Sequence, residues 1–205
     1  MLAILWDREM KNNDISENDS LVFIDQFFEI EIKERNLPHW FQKDTFYFIT
    51  FHLADSIPKE KSEQIKQERE QWQQIHKPPY THEEKREYYK LFSQRTEELL
   101  NAGYGSCCLA DSENARIVAD ALLHFDHIRY ILDQWVVMPN HVHLIVKPIN
   151  ENLISDITHS WKSFTANKIN KRMNKTGQLW MHESYDHIIR NEQSLEAIRK
   201  YIRNN

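Results

Sequence analysis

The chain has 205 residues, a length that fits one domain with a sizeable core. Charged residues make up 28% of the chain, and its formal net charge is −5. Its three glycines cannot build a P-loop or a dinucleotide-binding fingerprint, which argues against NTP-driven and dinucleotide-dependent enzymes. Two adjacent cysteines and no apolar run near 20 residues predict a reduced, cytoplasmic protein without a membrane segment.

Charge is distributed unevenly along the chain. Residues 135–205 carry 10 basic and 6 acidic side chains, a net of +4. The remaining 16 basic and 25 acidic residues give the rest of the chain a net of −9. A basic C-terminal third on an acidic body indicates a local anionic partner.

The N-terminal half predicts an arm, a strand and an insertion. Residues 1–36 contain one apolar patch and predict a peripheral helix or arm. Thr45–Ser56 is rich in aromatic and β-branched residues and predicts the first strand. Residues 59–101 form two charged, helix-prone segments separated by Pro78 and Pro79, which predict an inserted helical hairpin.

The C-terminal half alternates strand and helix patterns. In chain order these are a helix at Asn114–Asp126, strands at Tyr130–Met138 and His141–Lys147, a helix at Leu153–Met173, a short strand within Leu179–Ile189, and a helix at Glu192–Asn205 with Asn191 as its N-cap. The order predicts an α+β fold of the ferredoxin-like or RRM-like type, an antiparallel sheet with packed helices and a helical insertion. We expect residues 1–205 to form a single domain.

The segment WVVMPNHVHLIVKP, Trp135–Pro148, contains the most informative residues. Alternate residues of a strand share a face, so His141 and His143 point the same way while Val142 and Leu144 enter a core. Two imidazoles on one face of a strand can hold a divalent metal. Ordinary hydrogen-bonded or surface histidines produce the same spacing, and both interpretations remain open on spacing alone.

A nucleophile for such a site is available on the last predicted helix. Tyr201 and Asn205 are four residues apart, so a phenol and an amide oxygen share one helix face. A tyrosine can attack phosphorus and form a covalent intermediate. The same spacing is typical of a tyrosine at the edge of a core, and Tyr185 is a competing nucleophile.

Four segments together resemble one family: WVVMPNHVHLIV, WKSFTANKIN, LWMHESYDHIIRN and the terminal YIRNN. They resemble the REP-associated tyrosine transposases, a single-tyrosine group of the HUH transposases that acts on bacterial insertion sequences and palindromic repeats. The resemblance is loose over Phe46–Asn205 and close over Trp135–Asn205.

The resemblance implies a role for each site residue. His141 and His143 match the HUH pair, which would hold Mg²⁺ or Mn²⁺. Tyr201 matches the catalytic tyrosine of a Y-I-x-x-N-P motif, and Asn205 matches its asparagine and would complete the metal shell. This sequence ends at Asn205, before the proline of that motif.

The implied reaction is cleavage and rejoining of single-stranded hairpin or palindromic DNA through a covalent 5′-phosphotyrosine, without a nucleotide cofactor, by a monomer or homodimer. Candidate DNA contacts are Lys162, Lys168, Lys171, Arg172 and Arg190. Trp161 and Trp180 are candidates for a stacking platform, with core packing as the alternative for both and the favoured interpretation for Trp161. Two alternatives remain. One is a non-catalytic nucleic-acid-binding protein derived from a transposase, and the other is a metal-dependent hydrolase that activates water.

Overall fold

A computed structural model describes residues 31–34, 38–41 and 45–205. Strands β1 (Glu31–Glu34) and β2 (Pro38–Phe41) pair as an antiparallel hairpin. The predicted N-terminal arm therefore ends in a strand rather than a helix, while residues 1–30 of the arm lie outside the described part of the chain.

The main sheet has four antiparallel strands. They are β3 (Tyr47–His52), β4 (Tyr130–Val137), β5 (His141–Pro148) and β6 (Tyr185–Ile188), in the spatial order β4-β5-β3-β6. If the four strands are numbered by sequence alone, this order is 2-3-1-4, which is the ferredoxin-like arrangement. The predicted α+β class is confirmed.

Six α-helices complete the described part of the chain: α1 (Lys59–Ile75), α2 (His82–Tyr88), α3 (Arg95–Asn101), α4 (Ser112–His124), α5 (Ile154–Met173) and α6 (Glu192–Arg203). A π-helical turn, Tyr89–Gln94, joins α2 to α3, and a 3-10 turn, Cys108–Ala110, precedes α4. Within the described ranges we find no helix with the length and hydrophobicity needed to cross a bilayer.

Side-chain alternation along β5 separates two cores. Val142, Leu144 and Val146 enter the larger core, which lies between the sheet and helices α4 and α5. Ile145 enters a smaller core on the opposite face, where Leu195 and Ile202 of α6 pack. His141 and His143 have the same parity as Ile145 and therefore lie on this face, which we call the α6 face.

Helix α6 is positioned by a cap, two apolar anchors and an ion pair. The Asn191 side chain accepts a hydrogen bond from the Ser194 backbone N–H, as expected of an N-cap. Arg199 Nε donates to Asp133 Oδ2 at 2.7 Å. An irregularity in the β4–β5 register falls between Leu132 and Trp135, and Asp133 lies within it. These contacts hold α6 across β4 and β5.

The predicted helical insertion is present as α1, α2, the π-helical turn and α3, and it has its own small core. Ile65, Trp72 and Phe92 are buried together in this core. The segment leading out of the insertion returns to the end of β3, where the Ser106 N–H donates to Asp55 Oδ2 at 2.8 Å. This contact holds the segment that follows the insertion beside the C-terminal end of β3.

Candidate metal centre and nucleophile

His141 and His143 face each other on the α6 face. Their Nε2 atoms are 3.0 Å apart, and each residue is only 1% exposed. The His143 ring stacks on Phe48 with 5.5 Å between ring centroids. Two neighbouring strands therefore fix the orientation of the pair.

The other ring nitrogen of each histidine has a different kind of partner. His141 Nδ1 lies 2.7 Å from Asn140 Oδ1, and His143 Nδ1 lies 2.7 Å from Thr50 Oγ1. An amide oxygen only accepts hydrogen bonds, so His141 carries its proton on Nδ1 and has a lone pair on Nε2. A hydroxyl both donates and accepts, so Thr50 is compatible with either tautomer of His143.

Burial keeps both imidazoles neutral. It lowers the pKa of His141 to about 3, and the nearby His52 adds to the decrease. The pKa of His143 also lies well below its ordinary value, because of burial first and of His141 second. Neutral imidazole is the form that binds metal ions.

The separation of the two nitrogens fits a divalent ion. Two adjacent ligands of an octahedral ion with bonds near 2.1 Å lie about 3.0 Å apart. Second-shell partners on Nδ1 are also typical of metal-binding histidines. In the described part of the chain, no cluster of three or more His, Cys, Asp or Glu side chains is arranged to hold a metal. A complete shell would therefore need other ligand types, such as an amide oxygen, a water molecule or a phosphate.

Tyr201 brings its hydroxyl group to the histidine pair. Its oxygen lies 3.2 Å from His143 Nε2, and the two rings meet edge to face with centroids 5.3 Å apart. Phe48 also contacts the Tyr201 ring, at 6.1 Å between centroids. The phenol and both Nε2 atoms thus converge at one place on the α6 face.

The other two residues considered for this site are placed differently. Asn205 lies at the end of the chain, where its Nδ2 donates to the Tyr201 carbonyl at 3.2 Å. Tyr185 stacks on His52, with ring centroids 6.1 Å apart and planes 20° from parallel. Of the two tyrosines, Tyr201 is the one whose hydroxyl contacts the histidine pair.

The five candidate DNA contacts occupy different environments. Lys168, Lys171 and Arg190 are exposed. Lys162 donates to the His182 carbonyl at 2.7 Å and to Ser184 Oγ at 3.2 Å, and burial lowers its pKa to about 8. Arg172 donates to Asn114 Oδ1 and Asp111 Oδ2 at 3.0 and 3.1 Å. Lys162 and Arg172 thus also bind protein groups.

The two tryptophans considered as a stacking platform are core residues. Trp161 is 3% exposed and donates from Nε1 to the Tyr130 hydroxyl at 2.9 Å. Trp180 is 4% exposed and donates from Nε1 to Thr165 Oγ1 at 2.9 Å. The core packing favoured for Trp161 is confirmed, and Trp180 is also a core residue, so neither indole presents a face to a base.

Three buried polar residues that sequence reasoning did not assign to the site surround the pair. Thr50 and Asn140 hold the Nδ1 atoms, and His52 lies opposite His141 in the β3–β5 register. His52 Nδ1 contacts Ser56 Oγ at 2.7 Å, and burial lowers its pKa to about 4. The sequence did contain a signal for two of these residues. Thr50 and His52 are polar residues at alternate positions of an otherwise apolar strand, with the same spacing as His141 and His143.

One protein-family model matches the part of the chain that contains the candidate site. The family model "Transposase IS200 like" matches residues 113–205, a range that contains the histidine pair, α5 and α6. The match covers somewhat less than half of the chain, and over this part the chain is similar to the IS200-like transposases. The transposase resemblance of the sequence is thereby confirmed. No curated protein matches the sequence.

Two solved structures are similar to this chain. One is the REP-associated tyrosine transposase bound to a REP hairpin, at 14% sequence identity and a TM-score of 0.46, covering 83% of this chain and 69% of that chain. The other is a Deinococcus radiodurans R1 protein described as a candidate transposase. It has 14% identity and a TM-score of 0.32, and the match covers 84% of this chain and 95% of that chain.

Proposed function

We propose that this protein cleaves and rejoins single-stranded DNA with Tyr201 as the nucleophile, through a covalent 5′-phosphotyrosine. The observation that carries the proposal is the convergence of three groups. His143 Nε2 lies 3.0 Å from His141 Nε2 and 3.2 Å from the Tyr201 hydroxyl oxygen. A nucleophile beside two neutral imidazole ligands is the minimum constellation for metal-assisted phosphodiester transfer.

His141 and His143 would hold Mg²⁺ or Mn²⁺ through Nε2, with Asn205 as a further ligand. When bound, the ion supplies positive charge that polarises the scissile phosphate and stabilises the charge that develops on it. Thr50 and Asn140 keep the two imidazoles oriented.

The Tyr201 oxygen attacks phosphorus and loses its proton as the new P–O bond forms. The bond from phosphorus to the 3′ oxygen breaks, and that oxygen leaves as a 3′ hydroxyl after taking up a proton. A second 3′ hydroxyl then attacks the phosphotyrosine, which releases Tyr201 and joins two DNA strands. The phosphodiester energy is kept in the covalent link, so strand joining needs no nucleotide cofactor.

Hairpin or palindromic single-stranded DNA is the proposed substrate. The solved structure with a bound REP hairpin belongs to a protein similar to this chain. Lys168, Lys171 and Arg190 are exposed cations that would contact phosphates, and Lys162 and Arg172 would add charge nearby. We expect the protein to act as a monomer or homodimer in the cytoplasm.

Trapping the covalent intermediate tests the proposal. Labelled hairpin DNA is incubated with Mg²⁺ or Mn²⁺ and separated on a denaturing gel. We expect a slow-migrating adduct with the unmodified protein and none with Tyr201→Phe, because that change removes only the attacking oxygen. Tyr185→Phe is the matched control and should retain the adduct, since Tyr185 stacks on His52 rather than contacting the pair.

Each other outcome contradicts a defined part of the proposal. An adduct that persists in Tyr201→Phe and disappears in Tyr185→Phe would assign the nucleophile to Tyr185. Metal-dependent cutting without any adduct would identify a hydrolase. DNA binding without cutting would identify a non-catalytic protein derived from a transposase.

A further inference from the structure

We propose that Asn140 is a positioning residue that locks His141 in the tautomer able to bind metal, and that the helical insertion holds Asn140 in place. The inference rests on the proposed function for its purpose. The hydrogen bonds that define it are independent of that function. It assigns a role in the metal centre to the insertion, residues 59–101, and to Tyr104 just after it, which include no predicted metal ligand.

The Asn140 side chain has one orientation that satisfies its partners. Nδ2 lies 3.0 Å from the Leu100 carbonyl and 3.4 Å from the Tyr104 carbonyl, and both oxygens only accept. Turning the amide over would place Oδ1 against two carbonyl oxygens, which costs free energy in a buried site. Oδ1 therefore faces His141 Nδ1 and accepts its proton.

The backbone of Asn140 is held as firmly as its side chain. Its carbonyl accepts from the Leu53 N–H at 2.9 Å, and the preceding Pro139 carbonyl accepts from the Leu109 N–H at 3.1 Å. Asn140 is 1% exposed, so water does not compete for its amide. The residue is thus fixed at the turn that introduces β5, directly before the first histidine.

One of the two carbonyls that orient the amide belongs to the insertion, and the other belongs to the segment that leads out of it. Leu100 is in α3, and Tyr104 lies in the segment that follows it. The neighbouring Gly105 has φ +84°, and a Cβ there would lie 2.3 Å from the Asp55 carbonyl oxygen. Only glycine permits this close approach, which brings the Tyr104 carbonyl within reach of Asn140.

The two histidines are therefore controlled unequally. The amide of Asn140 leaves His141 Nε2 with a permanent lone pair, whereas the hydroxyl of Thr50 follows whichever tautomer His143 adopts. In the metal-free protein, His143 Nε2–H can donate to His141 Nε2 across their 3.0 Å separation. On metal binding, the His143 proton would move to Nδ1 and Thr50 would become its acceptor.

The test compares Asn140→Leu and Asn140→Asp with a matched control, Asn114→Leu. Asn114 is also 1% exposed, and its Nδ2 donates to the Cys108 carbonyl at 2.8 Å, but it does not contact the histidine pair. Two quantities are measured. They are the tautomer of His141 in the metal-free protein, from ¹⁵N chemical shifts and long-range ¹H–¹⁵N couplings, and the Mn²⁺ dissociation constant, from calorimetry.

We expect His141 to be the Nδ1–H form in the unmodified protein and to lose that preference in Asn140→Leu. Loss of a second-shell partner should weaken Mn²⁺ binding by about 10- to 100-fold. Asn140→Asp keeps an acceptor for Nδ1–H, so it should preserve the tautomer while losing thermal stability, because its carboxylate faces two carbonyls. Asn114→Leu should lose stability without a change in tautomer or Mn²⁺ affinity.

An Nε2–H tautomer of His141 in the unmodified protein would overturn the inference, and this measurement needs no variant to fold. Unchanged tautomer and Mn²⁺ affinity in a folded Asn140→Leu would also overturn it. Failure of the proposed function has a different signature. In that case the unmodified protein shows the expected tautomer but neither binds Mn²⁺ nor forms a DNA adduct.

Discussion

Single residues on α5 with the same charge differ in what they contact. Arg172 joins α5 to the N-terminal end of α4 through Asp111 and Asn114. Lys168 instead lies over the exposed ring of Phe164, with Nζ 5.6 Å from the ring centroid. A lysine held beside an exposed aromatic ring is an arrangement suited to the backbone and bases of single-stranded DNA.

This difference predicts separable effects of two substitutions. Lys168→Ala should weaken binding of single-stranded DNA and lower the salt dependence of log K by about 0.7, the value for one lost phosphate contact, without changing stability. Arg172→Ala should weaken DNA binding as well and lower the free energy of unfolding by about 1 kcal/mol, since it also loses contacts to protein groups that are partly exposed.

Fluorescence anisotropy at several salt concentrations measures the first effect, and urea unfolding measures the second. Equal loss of stability in both variants would contradict the distinction drawn between the two side chains. An unchanged salt dependence in Lys168→Ala would remove Lys168 from the DNA-binding surface.

Among the elements, α6 carries Tyr201, the proposed nucleophile, and its position depends on the sheet on which it packs. Leu195 is 0% exposed and Ile202 is 1% exposed, and both pack in the smaller core on the α6 face. Tyr201 is part of the same cluster at its partly exposed edge. The distance between the Tyr201 hydroxyl and His143 therefore depends on the packing of the adjacent Ile202 and of Leu195, which lies about two turns away.

Leu195→Ala should lower the free energy of unfolding by about 2–5 kcal/mol, because it leaves a cavity under α6. We also expect less covalent DNA adduct under conditions where the variant remains folded, since the helix loses an anchor. Ile75→Ala on α1 is the control, because Ile75 is 77% exposed and its loss should change stability by less than about 0.5 kcal/mol. Denaturant unfolding and adduct yield are the two measurements, and full adduct yield in a destabilised Leu195→Ala would contradict the prediction.

At the scale of the whole molecule, burial of neutral histidines makes the fold sensitive to acid. Burial lowers the pKa of His52 to about 4 and the pKa of His141 to about 3, whereas an unfolded histidine titrates near 6.5. Below pH 6.5 these histidines bind protons in the unfolded chain but stay neutral in the folded protein. The stability from these residues is therefore complete above pH 6.5 and is lost as the pH falls toward the folded-state values.

His52→Gln should make stability less dependent on pH in this window. Between pH 6.5 and 5, the variant should lose about 1–2 kcal/mol less than the unmodified protein, because one buried imidazole no longer has to remain neutral. Urea unfolding at several pH values provides the measurement. His159→Gln, which replaces an exposed histidine on α5, is the control and should keep the unmodified pH dependence. An identical slope in His52→Gln would show that other groups dominate acid unfolding.

The sequence by itself determined the order of strands and helices along the chain, and it identified His141 and His143 as a pair on one face of a strand. The alternation of β5 predicted that His141 and His143 share a face, because this pattern depends only on the two-residue repeat of a strand. The ferredoxin-like fold was predicted from the order of strands and helices along the chain, and the helices of the insertion were predicted from its charged, helix-prone segments. The metal-binding and catalytic roles of the residues remain predictions for the experiments above.

Only the tertiary structure decided which distant groups meet. Asn140 lies in the turn between β4 and β5, yet its amide joins His141 to two carbonyls that are 40 and 36 positions away in the chain. Trp180 looked like a stacking platform, but its indole is buried against α5. Local patterns cannot specify such contacts, because they depend on how separate elements pack and on where each buried polar atom finds its partner.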